Sequence, residues 1–360
     1  AANAAAAAAL RELDARLARS GNSPSEEPGF ALGAERFAAM LRATERVDLP
    51  LDRLKRAGEE ELRRNLEALR EAAGRYAPGT TVEEAIARAQ GDKPADGPVA
   101  EARRQMETLR AFVVERDLAG IPAGGSVRIE EAPPYQRWNS AYIDIPGPFD
   151  RDLPAIYYIA PPDPAWSPAE RAAYLPGRTE LLFTTVHEAW PGHFLQFLHS
   201  NRAASPVGRL FVGYGFAEGW AHYAEELVWE AGLGDGDPAV RIGQLQNALL
   251  RNVRYLVALG LHTEGMTLEE AERRFREQAF LDAQSARQQA SRGAFDPAYL
   301  NYTLGKLILR KLRADWMAAR GAGSALRTFH DRLLSFGGPP LPLVRRAMLG
   351  ETGGSDADLL

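Results

Sequence analysis

Two histidines and a glutamate stand close together in an apolar stretch, at His187, Glu188 and His193, in a chain of 360 residues with only six histidines. A His-Glu pair followed closely by another histidine is how zinc hydrolases present two metal ligands and a general base. The pattern predicts a Zn²⁺ site with His187 and His193 as ligands. Glu188 then fits the base that takes a proton from the attacking water.

The spacing of the two histidines departs from the usual H-E-x-x-H form. Histidines four residues apart lie about 40° apart around a helix, whereas the six-residue spacing here would place them roughly 120° apart. Pro191 and Gly192 lie between them. Proline removes a backbone hydrogen bond and glycine permits unusual dihedral angles, so we expect a bulge or kink that returns His193 to the face of His187.

A hydrolytic zinc site needs a third protein ligand and an open position for water. The segment that follows offers Glu218, His222 and Glu225 at positions i, i+4 and i+7, on one face of a predicted helix. We expect Glu218 to be the ligand, and His222 and Glu225 to orient the ligands through hydrogen bonds. His222 is the next candidate ligand, and Gly219 would allow a close approach of another helix.

Two later segments carry residues suited to stabilising an oxyanion. Arg254 and His262 lie on one predicted helix, and Tyr302 and Lys306 lie one turn apart on another. A tyrosine, arginine or histidine aimed at a developing negative charge stabilises a tetrahedral intermediate. We expect Tyr302 in this role, with Arg254 or His262, and Lys306 close to the site. A structural ion pair or a capping role fits Arg254 and His262 equally well.

Hydrophobic periodicity predicts a mainly α protein with a small sheet beside the metal-binding helix. Helices are expected at 4–19, in two stretches within 33–74, after a capping box at 81–84, and at 99–118, 179–200, 215–231, 238–262, 267–291, 297–320 and 323–336. Three short strands are expected at 127–130, 141–145 and 155–160, in a sheet taken to be antiparallel. We expect an N-terminal helical region, 1–123, and a catalytic region, 124–360, within one continuous domain.

An extended peptide can add a strand to an exposed sheet edge, so Tyr157 and its neighbour Tyr158 are candidate substrate contacts.

The composition limits which partners the protein can bind, but it does not determine the cellular compartment. There are 43 basic and 48 acidic residues, a net charge of −5, which gives no footprint for nucleic acid or an anionic membrane. No apolar run is long enough for a membrane span. The absence of cysteine excludes thiolate metal sites. The alanine-rich start is not an intact signal peptide, so we expect an exported protein whose signal has been removed, or otherwise a cytoplasmic one.

Several strings resemble the bacterial family called domain of unknown function 885. They are 187–196, 216–221, 260–262, 302–306, 329–331 and 335–343. The resemblance covers nearly the whole chain and implies a helical zinc metallopeptidase of a kind that is often exported. Family members often have a further histidine where Phe194 stands, which supports His193 as the ligand. They are commonly longer at the N-terminus, which implies that a region covering the cleft is absent here.

The sequence therefore predicts a zinc metallopeptidase acting on a peptide or a small amide. A zinc hydrolase of a non-peptide amide or ester is the near alternative. A catalytically inactive, zinc-stabilised binding protein is a third possibility, and Glu188 argues against it because a structural zinc site needs no base.

Overall fold

The computed structural model of the protein describes residues 2–20, 29–150, 152–320, 325–350 and 358–360. It is mainly helical with one small sheet, as predicted. The helices are α1 (Ala2–Ser20), α2 (Ala34–Thr44), α3 (Leu51–Tyr76), α4 (Val82–Gln90), α5 (Gly97–Glu115), α6 (Pro168–Tyr174), α7 (Arg178–Glu188), α8 (His193–Ser200), α9 (Pro206–Leu210), α10 (Tyr214–Glu230), α11 (Pro238–Thr263), α12 (Leu268–Gln278), α13 (Ala283–Phe295), α14 (Asn301–Arg320), α15 (Leu326–Leu334) and α16 (Leu341–Leu349).

The sheet contains β1 (Val127–Glu131), β2 (Ala141–Asp144) and β3 (Ala155–Ile159), in the spatial order β1-β3-β2. The β2–β3 pair is antiparallel, but β1 and β3 are parallel, so the prediction of an antiparallel sheet is wrong for that pair. After β1 the chain crosses to the far edge, forms β2 and returns through the middle. Side chains alternate between the two faces of a sheet in parallel and antiparallel pairs alike. The sequence pattern therefore could not distinguish a parallel from an antiparallel pair.

The central position of β3 changes the expected role of its tyrosines. Both of its edges are paired, so β3 has no free edge for a peptide. The Tyr157 side chain is fully buried. The strand at the edge of the sheet next to the histidines is β2 instead.

Two helices of 26 residues, α3 and α11, pack along each other and form much of the core. The Tyr255 hydroxyl on α11 donates a hydrogen bond to the Leu54 carbonyl on α3 at 2.9 Å. A Cβ atom at Gly58 would lie 2.4 Å from the Tyr255 ring, so the absence of a side chain there permits the close contact. These contacts join the N-terminal helices to the part of the chain that carries the histidines.

Local capping decides where several helices begin. The capping box predicted at Thr81 is present and starts α4. The single helix predicted at 267–291 is wrong, because α12 ends before Phe280, whose φ is +56°, and α13 starts at a new cap. There the Asp282 carboxylate accepts hydrogen bonds from the backbone N–H groups of Gln284 and Ser285.

Helices α10 and α14 cross in close contact, as the glycine at position 219 predicted. A Cβ atom at Gly219 would lie 2.5 Å from the Gly305 Cα atom, and one at Gly305 would lie 2.1 Å from the Gly215 carbonyl oxygen. The crossing brings the start of α14, with Tyr302, beside Glu218. Within the described residues, no helix has both the length and the apolar character needed to cross a membrane.

Candidate metal centre

The helix that carries the two histidines is interrupted between them. Helix α7 ends at Glu188 and α8 begins at His193. The Gly192 N–H group donates a hydrogen bond to the Val186 carbonyl at 3.0 Å. A Cβ atom at Gly192 would lie 1.9 Å from the His187 carbonyl oxygen, so only glycine fits this turn.

The interruption has the consequence expected from the Pro-Gly pair. The rings of His187 and His193 come together, with their centroids 4.7 Å apart. The indole N–H of Trp220, on α10, donates to the Pro191 carbonyl at 2.8 Å and fixes the turn against that helix. The two histidine rings therefore lie side by side, as expected from the Pro-Gly interruption.

Glu218 completes a group of three side chains that could hold a metal ion. Its Oε2 atom lies 3.2 Å from the Nε2 atom of His187 and 3.2 Å from that of His193. The three potential ligand atoms all lie within 4.8 Å of one another. Two ligands about 2.0–2.1 Å from a tetrahedral zinc ion stand roughly 3.3 Å apart, a separation that the two histidine–Glu218 distances match.

Glu225 holds the His187 ring and lies outside the group of three potential ligands. Its Oε1 atom accepts a hydrogen bond from His187 Nδ1–H at 2.7 Å, and its Oε2 atom accepts one from His222 Nδ1–H at 3.1 Å. With Nδ1 engaged by Glu225, the Nε2 atom of His187 is the one that faces Glu218. Both roles predicted for this helix, Glu218 at the site and Glu225 behind it, agree with the geometry.

The charge of Glu225 is maintained in a fully buried position. Burial by itself raises the pKa of this carboxyl, but the Arg251 guanidinium, 3.0 Å away, and the two histidine donors outweigh it and hold the pKa below its usual range. Burial lowers the pKa of His222 to about 4, so this histidine is neutral. The His222 side chain bonds only to Glu225 among the described residues and does not reach the three ligand atoms.

Glu188 faces the same cavity as the three ligand side chains. The cavity has a volume of about 300 Å³, and its walls include β2, Glu188 and Tyr302. Burial raises the pKa of Glu188, and the charges of His187 and His193 partly offset this. The hydroxyl of Tyr157 is buried near Thr185 and Glu188, and Tyr157 does not line the cavity.

Tyr302 also lines this cavity and lies next to His187. Its ring stacks on that of His187, with centroids 5.9 Å apart. The Arg254 guanidinium covers the face of this ring at 4.8 Å, and its Nε–H donates to Gln289 at 2.8 Å. Arg254 therefore supports Tyr302 and does not line the cavity, contrary to the expectation of a direct contact with an oxyanion.

Two further predicted site residues have structural partners elsewhere. His262 donates from Nε2 to the Gly293 carbonyl at 2.8 Å, and its ring lies between Phe30 and Phe37. Lys306 is fully buried, and its ammonium group pairs with carboxylates of α3 and α10. Neither residue reaches the cavity, because each is bonded to a buried partner on another helix.

The comparison with known proteins identifies the family. The model of the family described as "Bacterial protein of unknown function (DUF885)" matches residues 1–348. This chain is a member of the DUF885 family. No curated protein matches the chain.

Two solved structures are similar in fold to this DUF885 chain. One is described as a "putative lipoprotein of unknown function" from Shewanella oneidensis, with a TM-score of 0.80 and 23% identity over 94% of this chain. The other is described as a "putative lipoprotein" from Colwellia psychrerythraea, with a TM-score of 0.74 and 22% identity over 88% of this chain. The matches span 63% and 56% of the lengths of those two chains. At this identity the likeness shows the fold alone.

The structure adds a site residue that the sequence did not indicate. Arg292 donates from Nη2 to the hydroxyl oxygens of Tyr302, at 3.3 Å, and Tyr214, at 3.0 Å. Tyr214 in turn donates to Asp296, which also pairs with Arg292. The only signal in the sequence is an Arg-Asp pair four residues apart, which is common on helices.

Proposed function

We propose that this DUF885 protein is a zinc-dependent hydrolase, and specifically a metallopeptidase. The observation that carries the proposal is the convergence of His187, His193 and Glu218 in one cavity with a separate carboxylate, Glu188. A structural zinc site is closed by four ligands, whereas a catalytic one combines three ligands with an open position and a base. The arrangement here has the second form.

When bound, zinc supplies Lewis acidity toward a carbonyl and lowers the pKa of water. The protein's own groups supply the proton transfers and the stabilisation of charge. Glu188 takes the proton from the attacking water and passes it to the leaving amine nitrogen. Tyr302 donates a hydrogen bond to the carbonyl oxygen as negative charge develops there.

A contact with Arg292 leaves the hydroxyl of Tyr302 able to donate a hydrogen bond to the substrate. Because Arg292 donates to the Tyr302 oxygen, the phenolic hydrogen is free to be directed elsewhere. Tyr302 lines the cavity, so a substrate oxygen there is an available acceptor.

The sheet edge supports a peptide as the substrate. Ala141, Tyr142 and Ile143 of β2 line the cavity, and β2 is the edge strand beside it. An extended peptide can form main-chain hydrogen bonds to such an edge. We therefore propose that β2 positions the peptide, and not the strand that carries Tyr157 and Tyr158.

The test combines metal analysis with cleavage of a mixed peptide library. We expect one zinc ion per chain in the wild type and in Glu188→Gln, with turnover in the variant lower by about 10²–10⁴-fold because the proton acceptor is lost. Glu230→Gln, at the exposed end of α10, is the matched control and should behave as the wild type. His193→Ala should lose zinc.

Two results would contradict the proposal. One is full turnover in zinc-loaded Glu188→Gln, which removes the base from the mechanism. The other is a wild-type protein that binds zinc and cleaves no peptide. In that case, activity on other amides or esters would indicate the alternative hydrolase, and inactivity on all of them a binding protein.

We also propose that the natural protein is exported, since two relatives in fold are described as lipoproteins. Fractionation of the native bacterium with an antibody against this chain tests the location. Recovery in the cytoplasmic fraction would contradict it.

A further inference from the structure

A second and larger cavity, of about 530 Å³, lies next to the first. The two cavities share Ala141 at the start of β2, and α7 forms a wall of both. On α7, Leu181, Thr184 and Glu188 fall within about 60° of one another around the helix, at 100° per residue. The face that carries Glu188 therefore continues directly into the second cavity.

The separation of the two cavities matches a short length of extended peptide. At about 1.5 Å per residue, Thr184 and Leu181 lie about 6 Å and 10.5 Å from Glu188 along the helix axis. An extended chain advances about 3.3 Å per residue. A peptide whose scissile bond faces Glu188 would bring its second or third residue on that side to the second cavity.

The walls of the second cavity are mainly apolar. Its apolar lining side chains include Ile159, Leu181, Leu250, Phe280 and Leu281. A pocket of this volume with apolar walls and a few polar groups is typical of a ligand site.

The charged groups in the second cavity already have partners. Asp282 accepts the two N–H groups that start α13, and Glu180 accepts the Gly177 N–H at the start of α7. The Lys93 ammonium group donates to the Leu175 carbonyl. Two carboxyl groups and one ammonium group give no excess of positive charge, so the cavity does not favour an acidic occupant.

We propose that the second cavity binds a bulky apolar side chain, of leucine or phenylalanine size, at the second or third residue from the scissile bond of a peptide. This inference rests on the proposed function and names the class of peptide that the site selects.

The experiment uses the zinc-loaded chain and a set of alanine-based hexapeptides in which leucine, phenylalanine or aspartate is moved through each position. Burial of a leucine-sized side chain predicts that kcat/KM rises about 10- to 100-fold over alanine at one of the two positions. Aspartate there should give the poorest substrate. Ala173→Phe, on α6, and Gln288→Trp, on α13, each add bulk to the cavity wall and should each abolish the preference.

Ala169→Phe is the matched control, because Ala169 is exposed on the same helix as Ala173 and lies outside the cavity wall. It should retain the preference. If Ala173→Phe does not fold, as judged by circular dichroism, Gln288→Trp decides alone.

Binding separates a failure of this inference from a failure of the proposed function. The dissociation constants of the same peptides are measured by calorimetry on zinc-loaded Glu188→Gln, with and without each filling variant. Cleavage by the wild type with no apolar preference, or with one that both fillings leave unchanged, overturns the subsite and leaves the hydrolase standing. An apolar preference in binding that the fillings remove supports the subsite even where the wild type cleaves nothing. Absence of both cleavage and preferential binding overturns both.

Discussion

At the level of single residues, the site depends on Glu225, because this carboxylate fixes the His187 ring. It accepts hydrogen bonds from His187, His222 and Arg251. A glutamine has only one acceptor oxygen, so Glu225→Gln leaves part of this set without a partner. We expect zinc affinity to fall about 10- to 100-fold, as is typical when a group behind a ligand is lost.

Competition with a zinc chelator measures this effect, with Glu230→Gln as the control on the same helix. Unchanged affinity in Glu225→Gln would show that His187 keeps its orientation without this partner.

A second residue, Arg292, is expected to act on catalysis through Tyr302. Arg292→Met removes the charged donor to the Tyr302 oxygen. Loss of a charged hydrogen bond of this kind should lower kcat by about 10- to 100-fold, with little change in KM. Tyr302→Phe should cost about 10²–10³-fold. Adding Arg292→Met to Tyr302→Phe should then cost little more, because both changes act on the same hydroxyl.

The double variant distinguishes positioning from a general loss of stability. Additive losses in the double variant would contradict a role through Tyr302. Arg287→Met, on the same helix with an exposed side chain, is the control and should leave kcat unchanged.

Part of the candidate site could be predicted from sequence, because only a few residue types bind metal ions in proteins. The Pro-Gly pair explains the unusual spacing of His187 and His193. Arg254, Lys306 and His262 were predicted at the site on residue type alone, but each has a partner elsewhere. Their positions depend on which helices pack together, and the sequence of one helix does not contain that information.

At the level of elements, periodicity predicted most helices, whereas the exact breaks depended on backbone hydrogen bonds. The gap between α12 and α13 escaped prediction because Asp282 reads equally well as a polar residue inside a helix. The parallel pairing of β1 with β3 escaped it because register and direction are set by the crossing of the chain, which side-chain alternation does not report.

The crossing of α10 and α14 gives a prediction for Gly219→Ala. The added Cβ atom would lie 2.5 Å from the Gly305 Cα atom, so the helices must separate. We expect the free energy of unfolding to fall by about 1–3 kcal/mol, as for other cases of overpacking. Zinc affinity should fall as well, because Glu218 is the preceding residue.

Gly74→Ala on α3 is the matched control, since a Cβ atom there has no neighbour within 4 Å. Replacing a helical glycine by alanine in open space should stabilise the protein by roughly 0.5–1 kcal/mol. Urea unfolding of both variants measures the effect. Equal stability of the two would show that the crossing is not as tight as the structure has it.

At the level of the whole molecule, α10 connects the candidate metal centre to the N-terminal helices. Glu226, next to Glu225, pairs with Lys306 at 2.5 Å, and Lys306 pairs with Glu61 of α3 at 2.9 Å. Burial raises the pKa of Glu61, but Lys306 and Arg64 outweigh it and lower the value to about 2. Removing one member of such a buried cluster leaves a charge without a partner, so the cluster fixes how α3, α10 and α14 sit together.

Another buried contact joins distant parts of the chain and makes stability depend on pH. The Tyr223 hydroxyl on α10 donates to His330 Nε2 at 2.8 Å, and His330 Nδ1–H donates to the Leu118 carbonyl at 2.6 Å. The first bond requires the neutral ring, because a protonated Nε2 has no lone pair to accept the hydroxyl hydrogen. Burial lowers the pKa of His330 to about 4, from a value near 6.5 in the unfolded chain.

The sign of the effect follows from proton binding. Between about pH 4 and 6.5 the unfolded state binds more protons than the folded state, so the free energy of unfolding rises with pH across this range and levels off above it. At about 1.4 kcal/mol per pKa unit, the titration of His330 changes the free energy of unfolding by up to roughly 3 kcal/mol across this range. His330→Gln should be less stable than the wild type at pH 7.5, and the difference should shrink toward pH 4.5. Urea unfolding of the zinc-free proteins at pH 4.5, 5.5 and 7.5 measures it, and a difference that stays constant with pH would show that His330 does not titrate in this range.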